Sequence, residues 1–241
     1  MKKKIYSISG VTLIEILIGI IITTIMMAAM YASYSAVNNT YRQVADRAKI
    51  SQAGRDVVGM IANDVRMAGF KYFNDDIQTS DEHAPIIITK STNFTQECDK
   101  IEIVFGDVNY DPSGTPSKYT YERFKTTYQC KKSTVQNRAA KPSGSGVYPT
   151  IEAFAVYKSK VKWNTAAKAW WDPDLDGDNR TYNDQLVEDY IEDLIFNAVD
   201  DKGLVIKPPP TPKNSTRDKL YKIKTVDILL NVRSKKEFYR R

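Results

Sequence analysis

Two sets of acids stand where acids are costly, and they carry the strongest chemical signals in this sequence. Glu15 lies just inside the start of an apolar run, and residues 16 to 36 include no charged residue and no proline. A carboxylate in hydrocarbon costs on the order of 2.5–3.5 kcal/mol even on lenient insertion scales, so the position demands a partner or a shallow depth. The second set, Asp172, Asp174, Asp176 and Asp178, alternates with other residues and has Gly177 after the third acid. Carboxylates at that spacing, with a glycine for the sharp turn, match the first half of an EF-hand-type loop, so Ca²⁺ is the expected cofactor. The twelfth position holds Asn183 where such loops carry a bidentate Glu, which leaves Asp184, Glu188 or a backbone carbonyl to finish the shell. The plain alternative is a solvated acidic turn, although crowded acids repel one another unless a cation joins them.

Other candidates are weaker. His83 is the only histidine, in a polar stretch close to Pro85. A nucleophilic triad would have to be built on it alone, and a solvent-facing loop histidine is the expectation. The sequence has no Gly-rich phosphate loop, zinc spacing or nucleophile elbow, so no enzyme is expected. Trp163, Trp170 and Trp171 could line a sugar or peptide site, but large aromatics in a β domain more often serve as core or edge cover.

These residues need elements to hold them. The run from Ile16 to Ala36 is long enough for roughly 20 helical residues, about 30 Å and one bilayer core. Proline is absent from Val11 to Ala68, so one helix can continue beyond the membrane. In the continuation Val37, Tyr41, Val44, Ala48, Val58, Ile61, Val65 and Ala68 recur at three and four, with a gap near Ser51 and Gly54, opposite a face with Arg42, Asp46, Arg47, Arg55, Asp56 and Asp64. Gly69 follows as a helix stop. Short β-prone runs come next, at 86–89, 101–105, 119–124, 153–157, 161–163, 190–196 and 226–232. Asp111-Pro112-Ser113-Gly114 and Pro142 to Gly146 are turns. The pair 153–157 and 161–163 suggests a hairpin, and the proline-rich 207–212 an exposed extended loop. The predicted class is α+β: a long N-terminal α-helix with a membrane-spanning first half, packed on an antiparallel β-sheet domain.

The order Lys2-Lys3-Lys4, Gly10, Val11, Thr12-Leu13-Ile14-Glu15 and a long apolar helix resembles the type IV pilin and pseudopilin superfamily. Asp64-Val65-Arg66-Met67-Ala68-Gly69-Phe70 is similar to the end of the long helix in PilW-like minor pilins. The late runs near residue 190 and the C-terminus look like the last strands of PilW-like and GspJ-type members. The family usually begins its mature chain with Phe, so Val11 departs from the pattern. A secretory signal would end in an Ala-x-Ala-like site, which the stretch from Ala28 to Ala36 lacks. A plain anchor would insert equally well, with its lysines in the cytoplasm, but has no use for an acid at this position.

The resemblance implies a leader over 1–10 cut by a prepilin peptidase between Gly10 and Val11, a filament-core helix over 11–36, its soluble continuation over 37–69 and a head domain over 70–241. It implies a subunit of a type IV pilus that initiates or caps assembly, held in the inner membrane by lipid contacts before assembly, with its head outside the cytoplasm. Its partners would be other major and minor pilins and the assembly platform. Glu15 would pair with the N-terminal amine of a neighbouring subunit. The alternatives are a minor pseudopilin of a type II secretion system, or a tip-borne adhesin or DNA-binding module. In the oxidising compartment so implied, Cys98 and Cys130, the only cysteines, are expected to form a disulfide.

Charge adds little. Without the leader lysines the chain has 32 bases and 29 acids, too mild a balance to argue for nucleic acid. Nine acids fall between Asp172 and Asp193 and ten bases between Lys213 and Arg241, and the two segments are expected to neutralise each other. A basic tail gripping phosphates is the rival reading, without a stacking motif to support it.

Overall fold

The structure, a computed structural model, describes residues 10–73, 75, 77–78, 80–91, 98–113, 118–136 and 143–234. The leader lysines Lys2, Lys3 and Lys4, the turn residues Gly114 and Pro142, and the basic end 235–241 lie outside the described residues. The chain divides into two compact units at Ala48.

Helix α1 runs over Leu13–Met67, 55 residues, and its first part makes up the N-terminal unit. Its apolar window, of mean hydropathy 2.4, is nowhere buried among the described residues, and by length and composition it is a candidate membrane span. Thr23 and Thr24 donate their hydroxyls back to carbonyls one turn earlier, Thr23 to Gly19 at 2.8 Å and Thr24 to Ile20, which satisfies them inside an apolar surface.

The second unit is an antiparallel sheet with the last part of α1 packed on it. The strands are β1 (Ile86–Thr89), β2 (Lys100–Asp111), β3 (Lys118–Gln136), β4 (Thr150–Asn164), β5 (Ala169–Trp170), β6 (Tyr182–Val199) and β7 (Thr225–Val232). Their order is β1-β2-β3-β4-β6-β7, and β5 pairs with the end of β4. The sheet curls until its first and fifth members in space meet. The Asp99 amide donates to the Leu194 carbonyl at 3.0 Å, and the Lys90 ammonium to the Phe196 carbonyl at 2.5 Å. Inside the curl Val57 and Ile61 of α1 join Ile101, Ile103, Tyr128, Val156, Ile191, Leu194 and Phe196 in one buried cluster. Each such side chain contributes about 1.5–3 kcal/mol on burial, which is what holds the helix end to the sheet.

The helix stripe differs in detail from the periodicity. Val57 is buried and Val58 only half-buried, while Val37, Tyr41 and Val44 are exposed within the first unit. The seam therefore reads Val57, Ile61, Val65 and Ala68, spacings of four, four and three. Gly69 ends the helix at φ 73°, and its amide donates to Val104 on β2 at 2.8 Å. Gly106 lets the same crossing pass: its amide donates to Phe70 at 2.7 Å, and a Cβ there would sit 3.0 Å from the Phe70 oxygen.

Two loop expectations are corrected. Residues 153–157 and 161–163 form no hairpin; they lie on the one strand β4, because Lys158-Ser159-Lys160 has no Gly, Pro, Asn or Asp to turn the chain. The turn comes after Asn164, whose side chain accepts from the amides of Ala166 and Ala167 at 3.0 Å each. The proline-rich segment is not simply exposed: Pro210 is buried, and Asn214 and Thr216 donate to the carbonyls of Pro209 and Pro208 at 2.6 and 3.1 Å.

Candidate functional site

Gly10 and Val11 precede α1 and are exposed, so the peptide between them is accessible. At the helix start Glu15 accepts from the amide and the hydroxyl of Thr12, both at 3.2 Å, and the Glu15 amide points back to the Thr12 hydroxyl at 3.4 Å. This is a capping box, in which two orphan amides of the first turn are met reciprocally. The signal was present in the sequence as Thr12-x-x-Glu15. Glu15 thus has a local partner, and its exposed carboxylate keeps further lone pairs for another donor.

The acidic turn folds as a short helix, α2 (Pro173–Asp176), between β5 and β6. Asp172 caps it, accepting from the Asp174 amide and from the Asn183 side chain at 3.1 Å each, and Gly177 ends it in the left-handed region at φ 66°. Asp176 Oδ1 accepts from the Asp178 amide and the Thr181 hydroxyl, both at 2.8 Å, while its Oδ2 is buried without a partner among the described residues.

Asp178 and Asp184 are engaged elsewhere. The guanidinium of Arg180 meets Asp178 Oδ1 at 3.0 Å and Oδ2 at 2.6 Å, and reaches Glu122 on β3 at 2.5 Å. Lys162 on β4 completes the network, at 2.5 Å from Glu122 and 3.5 Å from Asp178. Hydrogen bonds from Arg180 hold the Asp178 carboxyl far below the usual carboxylate range, and Asp178 in turn raises Arg180. Asp184 occupies the bulge where β6 shifts register against β4, at φ 47°, and its carboxylate meets Lys131 at 2.5 Å, which lowers its pKa. Asp172, Asp174 and Asp176 are therefore the acids left to meet a cation. Among the described residues no three His, Cys, Asp or Glu side chains converge as a metal cage. Arg180 supplies a positive charge to Asp178, and no feature of the linear sequence links it to Glu122.

The histidine expectation is overturned. His83 is 5% exposed, in a 3₁₀ turn at Asp81–His83, with Trp163 and Trp170 edge-on at 4.4 and 5.6 Å between ring centroids. Burial lowers its pKa first and Arg123 second, opposed by the Gln78 backbone, Glu82 and Asp75. The Gln78 backbone lies near enough to act on the ring, although among the described residues neither ring nitrogen makes a full hydrogen bond. Arg123 on β3 is 3% exposed and meets Asp75 Oδ2 through Nε and Nη2 at 3.2 and 2.7 Å. This buried pair escaped the sequence reading, since no spacing rule links residues 48 apart. Trp163 and Trp170 serve as cover for that side of the sheet.

Cys98 and Cys130 are joined, with a Cα–Cα distance of 5.4 Å, and tie the start of β2 to β3. Of the basic segment, Arg217 pairs with Asp81, and Lys219, Lys222 and Lys224 line a surface cleft with Asp200, Asp201 and Tyr221. Neither a scan against protein-family models nor searches of curated proteins and of solved structures found a match to this chain.

Proposed function

We propose that this chain is a minor pilin-like subunit of the type IV pilin superfamily, processed after Gly10 by a prepilin peptidase, that takes part in initiating or capping a pilus. The observation that carries the reading is the order Gly10, Val11, Thr12-Leu13-Ile14-Glu15 at the head of a helix whose apolar part is bare and whose last part holds a β domain. A bare apolar stretch of this length needs lipid or other helices around it. The accessible Gly10–Val11 peptide suits cleavage, which would leave an amine on Val11, two residues before α1 begins at Leu13. The carboxylate of Glu15 would then exchange its Thr12 contacts for the amine of a neighbouring subunit. In low dielectric a lone charge is costly, so the pair favours the assembled state. Before assembly the helix would anchor the chain in the inner membrane with the head outside the cytoplasm, in contact with the assembly platform.

A minor pseudopilin of a type II secretion system is the second reading, supported by the same residues. The test is a pair of variants in the native host. Gly10→Val is expected to block processing, read by the mass of the N-terminal peptide. Glu15→Ala is expected to leave processing and insertion intact and to reduce recovery in sheared filaments. Normal assembly of the unprocessed chain refutes the family reading, and normal assembly of Glu15→Ala refutes the pairing. Loss of secretion with pili intact moves the chain to the pseudopilin alternative, and saturable ligand binding by the head with assembly unaffected moves it to the adhesin one.

A further inference from the structure

The loop after β6 and the 3₁₀ helix Arg217–Lys222 flank a cleft of about 420 Å³, next to the start of β7. Lys202, Lys219, Lys222 and Lys224 line it with Asp200, Asp201 and Tyr221, so bases exceed acids by two. The charge balance predicts that acids elsewhere in the chain neutralise the basic segment. Among the described residues, however, none of these four lysines has a carboxylate in ion-pair range, whereas Lys125, Lys131, Lys158 and Lys162 on the strands each meet one. Asp200 is turned into its own loop, where its Oδ1 accepts from the amides of Lys202 and Leu204 at 2.9 and 2.8 Å. The backbone beneath the lysines is held in place. The amide of Lys224 donates to Val199 and that of Lys219 to Thr216, both at 2.9 Å, and Leu220 is buried against Ala84 and Ile87. Like charges gathered at one cleft repel one another until an anion joins them.

The lining selects the anion. Every base on it is a lysine. An ammonium is a compact point charge with three donors and suits the several oxygens of a phosphate, while the planar fork of a carboxylate is the shape a guanidinium meets best. The cleft has room for about fourteen waters at their liquid spacing, more than a bare phosphate fills. Tyr221, 58% exposed, offers a ring face for the remainder. We propose that this cleft binds a phosphate monoester carried on a ring, with the phosphate among the lysines and the ring against Tyr221. The site stands on its own geometry and is independent of the assembly reading.

The probe is phenyl phosphate, titrated against the full chain in detergent micelles at constant ionic strength while its phosphorus resonance is followed. Lysine acetylation by an amine-reactive reagent is mapped in parallel by mass. Saturable binding is expected, with a dissociation constant of about a millimolar, as a ligand of this size allows. Lys219, Lys222 and Lys224 are expected to be protected from acetylation, and the exposed Lys168, outside the cleft, is not. Lys219→Ala with Lys222→Ala, both at exposed positions, is expected to weaken binding about tenfold, the range of two surface charge contacts. Tyr221→Ala is expected to weaken phenyl phosphate and to leave inorganic phosphate unchanged. No saturation, or an unchanged affinity in the double lysine variant, overturns the site. Citrate bound as tightly overturns the phosphate assignment and leaves a diffuse attraction for any polyanion. Protection by short-chain phosphatidic acid in the micelle, with none by phenyl phosphate, makes the phosphate a lipid's and overturns the ring assignment, as does an unchanged affinity in Tyr221→Ala.

Discussion

Removing the Asp75 carboxylate is expected to destabilise the head domain by about 3–5 kcal/mol, because it strands a guanidinium in the interior. The side chains of Arg123 and Asp75 are 4% and 1% exposed, so water can replace almost none of what is lost. Asp75→Ala deletes the two hydrogen bonds from Arg123, at 3.2 and 2.7 Å, and the one that Oδ1 accepts from the Ile77 amide at 2.8 Å. Each such bond would be worth about 1 kcal/mol net on its own, and the uncompensated charge is the larger part. Against a usual domain stability of about 5–15 kcal/mol the loss is large enough to move a urea midpoint well outside error. Two comparisons isolate the cause. Asp184→Asn also breaks an ion pair, to Lys131 at 2.5 Å, but both side chains are more than two-fifths exposed, so its cost should stay within about 1 kcal/mol. The double variant Asp75→Leu, Arg123→Met removes both charges and is expected to recover most of the stability. The assay is urea unfolding of residues 38–241 followed by tryptophan fluorescence. A cost for Asp75→Ala no greater than that of Asp184→Asn, or a double variant as unstable as the single one, would refute the argument.

Three further outcomes are expected. Cys98→Ser, Cys130→Ser opens a closed loop of sequence separation 32, and the unfolded chain regains entropy worth about 3–4 kcal/mol, read as a lower urea midpoint that reduction of the parent reproduces. His83 binds its proton less well folded than unfolded, so its contribution is present above the unfolded value of 6.5 and is lost as pH falls through the lower folded value; stability should decline on acidification below about pH 6.5. His83→Phe should flatten that decline, and an equally steep profile in the variant would place the proton elsewhere. If calcium acts on the 172–178 turn, it acts through Asp172, Asp174 and Asp176: millimolar calcium should raise the melting temperature over chelator, Asp174→Asn with Asp176→Asn should remove the rise, and Asp184→Asn should not. Binding at 100 times the dissociation constant corresponds to about 2.7 kcal/mol. Equal melting in calcium and chelator leaves the turn held by Arg180 alone.

The sequence by itself determined what depends on near neighbours. The absence of proline from Val11 to Ala68 and the glycine at 69 set one helix and its end, and the observed helix stops at Met67. β-branched runs placed strands at 86–89 and 226–232 almost to the residue, since β preference is a local signal, and the second run alternates with period two as well. Gly177 marked the left-handed stop after the third acid, because a turn there needs a positive φ whatever surrounds it. Tertiary structure decided everything that rests on which faces meet. The stretch around His83 reads as polar loop, yet the curl of the sheet lays it against Trp163 and Trp170 and buries it. Arg123 stands between Glu122 and Phe124 with Lys125 beyond, a charged stretch that reads as solvent-facing, and the chain leaving α1, folding across β2, covers that face and delivers Asp75 to it. The acidic turn shows the same division. Its spacing is local and promised convergence on an ion, and Arg180 meets Asp178 from two residues away, but Glu122 on β3 and Lys162 on β4 join that pair only once β3, β4 and the turn lie side by side. Coulomb energy falls with distance and with solvent, neither of which a linear sequence states, so the partners of buried charges are fixed by packing.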